Sequence, residues 1–459
     1  MLLIEREIDI PNKDSDCTFI EHFAKCVHEN ISSNEIPVRF AITRSDENGY
    51  RCELGVLVVA SGTLTKDPKS LFEFSRRRTE NTENFNAVLL VPTGIGAEIG
   101  GHAGDAGPVA RLLASACDTL ITHPNVVNAS DINELPENGL YVEGSVITSM
   151  MMGTVGLSKV RSNRVMLVMD KHKDERISCS TINATSAARA TLGLDCPVAV
   201  ELDPPVKMRA RFSNSGTAVG RVEGLEHLIE VLNDRRSEYD AVALTSVIDV
   251  PSAFHTEYFE KNGEMINPWG GVEAMLTHAV TMLLDVPTAH SPMFESMEIA
   301  NLEVGVVDPR MSAEAISACF LHCILKGLHR SPRIVKDRSE FNQSSVLSAS
   351  DVSCLVIPDG CVGLPTLAAI EQGIPVIAVR ENKNCMKNDL QDLPFAPGKL
   401  FIVENYLEAV GVMTALKAGV ALSAVRRPLA RTQVVCERSK QISMITESEH
   451  VADAVLPRD

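Results

Sequence analysis

Cys361 stands in PDGCVGLPTLAAIEQG (residues 358–373), where an apolar strand passes through a glycine turn into a helix that begins near Leu364. A thiol beside a helix N-terminus has its thiolate favoured by the helix dipole, which makes it a better nucleophile. The plain alternative is a core cysteine, since cysteine packs as a small hydrophobe. Gly360 and Gly363 of the same turn would let backbone N–H groups approach a ligand. His123 and Asn125 close the run TLITHPN (119–125) at the carboxyl end of a strand, the edge where open α/β sheets bind ligands. Glu143 ends the strand of YVEGS (141–145) in the same manner and is a candidate partner for His123 in proton transfer. His290, in PTAHSP (287–292), is a loop histidine within reach of such a cleft.

A glycine-rich stretch, PTGIGAEIGGHAGDAGPVAR (92–111), follows another apolar strand. Thr93, Gly94, Gly96, Gly100, Gly101 and Asp105 fall within it, ahead of a helix starting near Pro108. Its glycines exceed what one turn needs, so the loop is expected to hold a phosphate or carboxylate at the helix N-terminus. The spacing is neither that of a P-loop nor that of a dinucleotide fingerprint, and no cofactor is named. Glu273 and His278 are five residues apart on a helix, about 140° around it, and form no metal face. Cys319, His322 and Cys323 sit among Phe320, Leu321, Ile324 and Leu325 on a helix expected over 313–325, which reads as apolar packing. There is no CxxC pair, and no metal set is assigned.

These groups need a scaffold, and the composition suits one. The chain has 459 residues, 45% hydrophobic and 22% charged, enough for two or three domains with a large core. With 43 basic against 60 acidic residues the net charge is −17, and aromatic residues make up 4%. Phosphate backbones and anionic lipid faces repel such a chain, which argues against nucleic-acid and membrane partners. No apolar run reaches the ~18 residues of a membrane span. The opening MLLIEREIDI lacks the unbroken apolar core of a signal peptide, and twelve cysteines without such a signal read as reduced thiols. A cytoplasmic location and a small-molecule substrate are expected; a homo-oligomer is left open.

The strands AVLLVP, TLITH, RVMLVMD, AVALTSVIDV, CLVIPD, IPVIAV and KLFIV are apolar throughout rather than alternating. Strands buried on both faces read so, which predicts α/β architecture: parallel sheets covered by helices, as Rossmann-like halves. Residues 1–62 read as a small α+β module, strand, helix and two strands about an Asn-Gly turn. The boundaries expected are 1–62, a first α/β region at 87–330, a second at 331–425, and a tail at 426–459.

From PTGIGAEIGGHAGDAGPVAR through ITHPNVVN, YVEG, RATLGL and IAVREN…NYLEAVGV, the chain resembles an uncharacterised family, domain of unknown function 3326, over roughly residues 86–420. That resemblance implies a cysteine at the position of Cys361 and brings no activity with it. The turn at Asp359, Gly360 and Gly363, with Glu371, Gly373 and Pro375 beyond, also loosely resembles the C-terminal half of nucleotide-sugar epimerases and two-domain glycosyltransferases.

The leading expectation is an enzyme of transferase, hydrolase or isomerase type acting on a small anionic metabolite. Cys361 would be its thiolate, and His123, Glu143 and His290 its acid–base groups. Thr93, the glycine loop, Asn125, Gly360 and Gly363 would bind substrate. The alternatives are a nucleotide-sugar transferase or epimerase, and a non-catalytic metabolite-binding regulator.

Overall fold

Each of the apolar runs is a parallel strand, because a strand that alternates nothing must be covered on both faces. In the computed structural model, residues 1–435 are described except 14–16, 61–67, 130, 134 and 262. Six strands form one wholly parallel sheet in the order Leu400–Val403, Val376–Val379, Val352–Pro358, Asn86–Leu89, Thr119–Thr122 and Gly139–Tyr141. Every residue of Asn86–Leu89, Thr119–Thr122 and Val376–Val379 is buried. Helix Gly107–Ala114 packs with Tyr406–Lys417, and Gly144–Met151 with Leu364–Gln372. The fold class is α/β.

The second sheet has ten strands and is mixed. Its parallel part joins Val165–Asp170, Ala199–Leu202, Ala241–Asp249 and Thr288–Met293. Its antiparallel part holds the hairpin Lys207–Phe212 and Ala218–Glu223, then the N-terminal strands Leu2–Ile10, Gly49–Val58 and Glu35–Asp46. The strand–helix–strand–strand order read for the N-terminus is present, with helix Phe19–Asn30 after the first strand. It is no separate body: Leu2, Leu3 and Ile4 pair with Glu223, Val222 and Arg221. The 207–223 hairpin adds to the expected strands, and KMRARF alternates exposed and buried residues as a half-covered strand must.

Two boundaries differ from expectation. The division at 330/331 falls inside the six-stranded sheet, which takes three strands from each side of it. The helix expected over 313–325 is two helices, Ser312–Ala315 and Leu321–His329. Between them the Asp131 carboxylate accepts the Cys319 N–H at 3.3 Å, an alternative to helical bonding. Of the tail at 426–459, residues 426–435 are exposed without regular structure and 436–459 lie outside the described residues.

Helix Gly270–Leu284 positions the site. It packs against the ten-stranded sheet on one side and against helix Gly144–Met151 on the other. It is apolar along most of its length, with Val272, Met275, Leu276, Ala279 and Val280 all buried.

Candidate functional site

A cavity of about 400 Å3 opens where the carboxyl ends of strands from both sheets face each other. His123 and Glu143 follow strands of the six-stranded sheet, Cys361 follows another, and His290 lies on a strand of the ten-stranded sheet; all four line this space. Parallel strands deliver their carboxyl ends to one edge, so His123 and Cys361, 238 positions apart in sequence, converge. Along one wall runs helix Gly270–Leu284, presenting Gly270, Glu273, Ala274, Thr277 and His278 at helical spacing.

Glu143 is the N-cap of helix Gly144–Met151. One carboxylate oxygen accepts the N–H groups of Ser145 at 2.9 Å and Val146 at 3.3 Å, and the Ser145 hydroxyl. The other accepts from Thr277 at 3.2 Å and from Nδ1 of His278. Burial pushes this carboxyl up, but the His278 charge and the bonds from His278 and Ser145 outweigh it and hold it below the usual glutamate range. Glu143 therefore stays ionised, and His278 donates Nδ1–H to it. Nε2 of His278 has no hydrogen-bond partner among the described residues. Gly144 lets the ring lie close: a Cβ there would stand 3.2 Å from His278 Cε1. The partner expected for Glu143 was His123; the structure supplies His278 instead.

A second pair lies one and a half turns back along the same helix. Glu273 Oε1 is 2.8 Å from Nδ1 of His290, and Nε2 of His290 is 2.7 Å from Ser246 Oγ. Serine hydrolases line up the same three groups. Here the hydroxyl is buried at 4% exposure, lies 3.0 Å from Met208 Sδ and does not line the cavity, so Ser246 holds the ring rather than attacking a substrate. The two pairs share a pattern. The Glu143 and His290 side chains are 3% and 0% exposed, whereas their partners His278 and Glu273 are 17% and 23% exposed. In each pair the residue singled out from sequence is the enclosed one, and its accessible partner belongs to the Gly270–Leu284 helix.

His123 is placed differently again. Its Nε2 accepts the Val91 N–H at 3.1 Å. A backbone N–H can only donate, so the ring proton is on Nδ1, which has no partner among the described residues. Burial pushes the imidazole down to about 4, so the ring is neutral near pH 7. Asn125 lines the cavity while both its N–H donors hold backbone, the Val91 carbonyl at 2.9 Å and the Gly100 carbonyl at 2.8 Å.

The thiolate expected at Cys361 is corrected by its surroundings. The residue is 4% exposed, and burial, then the neighbouring Cys385 and Asp359, drive the thiol far above its ordinary range. The apolar setting outweighs the helix dipole, since the helix begins three residues on at Leu364. Thr93 and Gly363 line the cavity, whereas Gly94, Gly96, Gly100, Gly101, Asp105 and Gly360 do not. The glycines of the 92–107 loop face protein: Gly94 meets Ala218, Gly96 Ile266, Gly100 Val91 and Gly101 Ala97. Gly104 shows what they are for. It has φ +89°, and a Cβ on it would fall 2.6 Å from the Cα of Ala129. Asp105 accepts the Gly100 N–H at 2.8 Å, closing the loop on itself.

Behind that loop runs a buried polar chain unforeseen from sequence. Nδ1 of His102 is 2.8 Å from the Tyr258 hydroxyl, which donates to Glu314 at 3.1 Å; Glu314 also accepts the Ala103 N–H at 2.7 Å. Burial raises the carboxyls of Glu314 and Asp105 to about 7 and lowers His102 to about 4. Tyr258 and Glu314 reach the cavity, so the chain ties its wall to the glycine loop. Among the described residues no three His, Cys, Asp or Glu side chains converge to hold a metal ion, and no helix is long and apolar enough to cross a membrane.

The model of a family described as "Protein of unknown function (DUF3326)" matches residues 86–426. An uncharacterized lipoprotein of Synechococcus sp. is 32% identical over 339 residues, 73% of this chain and 92% of that protein. No solved structure matches the chain.

Proposed function

We propose, for a chain that belongs to the DUF3326 family of proteins of unknown function, an enzyme of isomerase type that relocates a proton on a small molecule without a covalent intermediate. The observation that carries this reading is the presence of two histidine–carboxylate pairs, Glu143–His278 and Glu273–His290, on one cavity wall. An ionised carboxylate on Nδ1 fixes the tautomer of His278 and stabilises its protonated form, which suits the other nitrogen to general-base work. Nε2 of His278 takes a proton from the substrate, and the electron pair left behind shifts onto a substrate oxygen. Nδ1–H of His123, a neutral donor, stabilises that oxygen. Glu273, oriented by His290 and carrying a proton at the start of the cycle, gives it to a second atom, and water returns the proton from His278 to Glu273 between turnovers. His278 and Glu273 are five residues apart on one helix, roughly 7.5 Å along its axis, a span that fits two ends of a small substrate.

Glu143 and His290 are thus positioning residues in this reading, and Cys361 takes no part as a nucleophile. The test is incubation with a mixed metabolite extract in D2O, read by mass spectrometry. A compound should gain one deuterium with the native protein and fail to do so with His278→Asn or Glu273→Gln. Labelling that both variants retain, or a covalent adduct on Cys361, would overturn the reading.

A further inference from the structure

Six aromatic residues line the cavity: Phe40, Tyr258, Phe259, Trp269, Phe294 and Phe320. That is a concentration, because aromatic residues are 4% of the chain and Trp269 is its single tryptophan. They fall in two clusters and a single ring: Tyr258 is edge-on to Trp269 at 5.2 Å and to Phe259 at 5.2 Å, the Phe294 and Phe320 rings are 5.1 Å apart, and Phe40 packs on Phe23 and Phe72. Residues between the Thr288–Met293 strand and the Leu321–His329 helix extend this lining with Ile299, Leu302 and Val304. The charged lining points the same way. Arg39 is the only Lys or Arg among the described lining residues, and it is already paired with Glu5 and with Glu53 at 3.2 Å. Four carboxyl side chains, Glu143, Glu273, Glu295 and Glu314, line the same space. An anionic ligand would give up its hydration for a wall without an unengaged cation. One further group waits for a partner: Ser291 is 2% exposed, lines the cavity, and its hydroxyl has no hydrogen bond among the described residues. A buried hydroxyl without a bond is destabilising, and a ligand oxygen or N–H beside it would recover that cost.

We infer that the substrate is an uncharged molecule with an aryl or branched-alkyl body bearing hydrogen-bonding groups, its body on the aromatic wall and its reacting end on the histidine–carboxylate pairs. This rests on the acid–base reading for the reacting end, and replaces the anionic metabolite expected from the glycine loop.

Trp269 reports binding directly. Titration of the full chain with benzamide, benzoate and inorganic phosphate should show saturable quenching by benzamide, roughly tenfold weaker binding of benzoate, and no response to phosphate. Phe320→Ala should weaken benzamide about tenfold. Calorimetric titration of Trp269→Phe provides the same comparison should the Phe320 variant fail to fold. No saturable benzamide binding, or a tighter response to benzoate or phosphate, would overturn the inference. Benzamide binding without deuterium labelling sinks the acid–base reading alone; labelling without benzamide binding sinks this inference alone.

Discussion

The 92–107 loop and the Gly270–Leu284 helix border the same cavity and contribute to it in opposite ways. The loop is conspicuous in sequence, yet it offers the space Pro92, Thr93, Ile95 and Ala103 and turns its glycines toward protein. The helix is nearly uniform apolar sequence, yet it brings both accessible members of the histidine–carboxylate pairs. A glycine-rich loop can follow from close packing alone, since any Cβ would collide whatever the neighbour is. Polar side chains inside an apolar helix carry a desolvation cost, and that cost is met here by partners on other elements.

The sharpest way to break this contrast is to alter the helix. His278→Asn should lower turnover per folded molecule by about 10²–10⁴-fold with little change in the cavity's ligand affinity, measured by the deuterium assay beside the benzamide titration. A normal rate would move the chemistry elsewhere. The loop should answer differently. Gly104→Ala adds a left-handed alanine and a clash with Ala129, and should cost about 3 kcal/mol of stability in urea unfolding. Turnover of the fraction that remains folded should be near native. If stability is untouched and turnover falls, the loop binds substrate after all.

A comparable effect is expected where the loop and the cavity wall meet, at Glu314. Its carboxyl is raised from an ordinary 4.5 to about 7 by burial. The folded chain therefore holds more protons than the unfolded one between those values, and this contribution falls as pH rises through that window. Glu314→Gln keeps an acceptor for Ala103 and removes the titration. It should be more stable than the native protein by roughly 3 kcal/mol at pH 8, with the difference closing near pH 4. A pH-independent difference would mean that Glu314 does not titrate in this range.

The smallest effect belongs to Cys361. Cys361→Ala should cost about 1 kcal/mol and leave turnover per folded molecule unchanged. Iodoacetamide at pH 8 should modify the exposed Cys179 and spare Cys361 in the folded protein. Rapid alkylation of Cys361 would restore the thiol to the chemistry.

Local pattern determined the α/β class, the seven parallel strands and helices such as Leu364–Gln372, because burial on two faces and helical spacing are written in consecutive residues. It also placed His123, Glu143, Cys361 and Thr93 at strand ends, and strand ends share an edge wherever strands run parallel. What each residue does was decided by contacts distant in sequence. Glu143 and His278 are 135 positions apart, and Ser246 and His290 are 44. Whether a cysteine near a helix start is a thiolate depends on the solvent around it, and Cys361 is buried. The partner and the exposure of a side chain set its charge and its reach, and both are properties of the assembled cavity rather than of any segment that forms it.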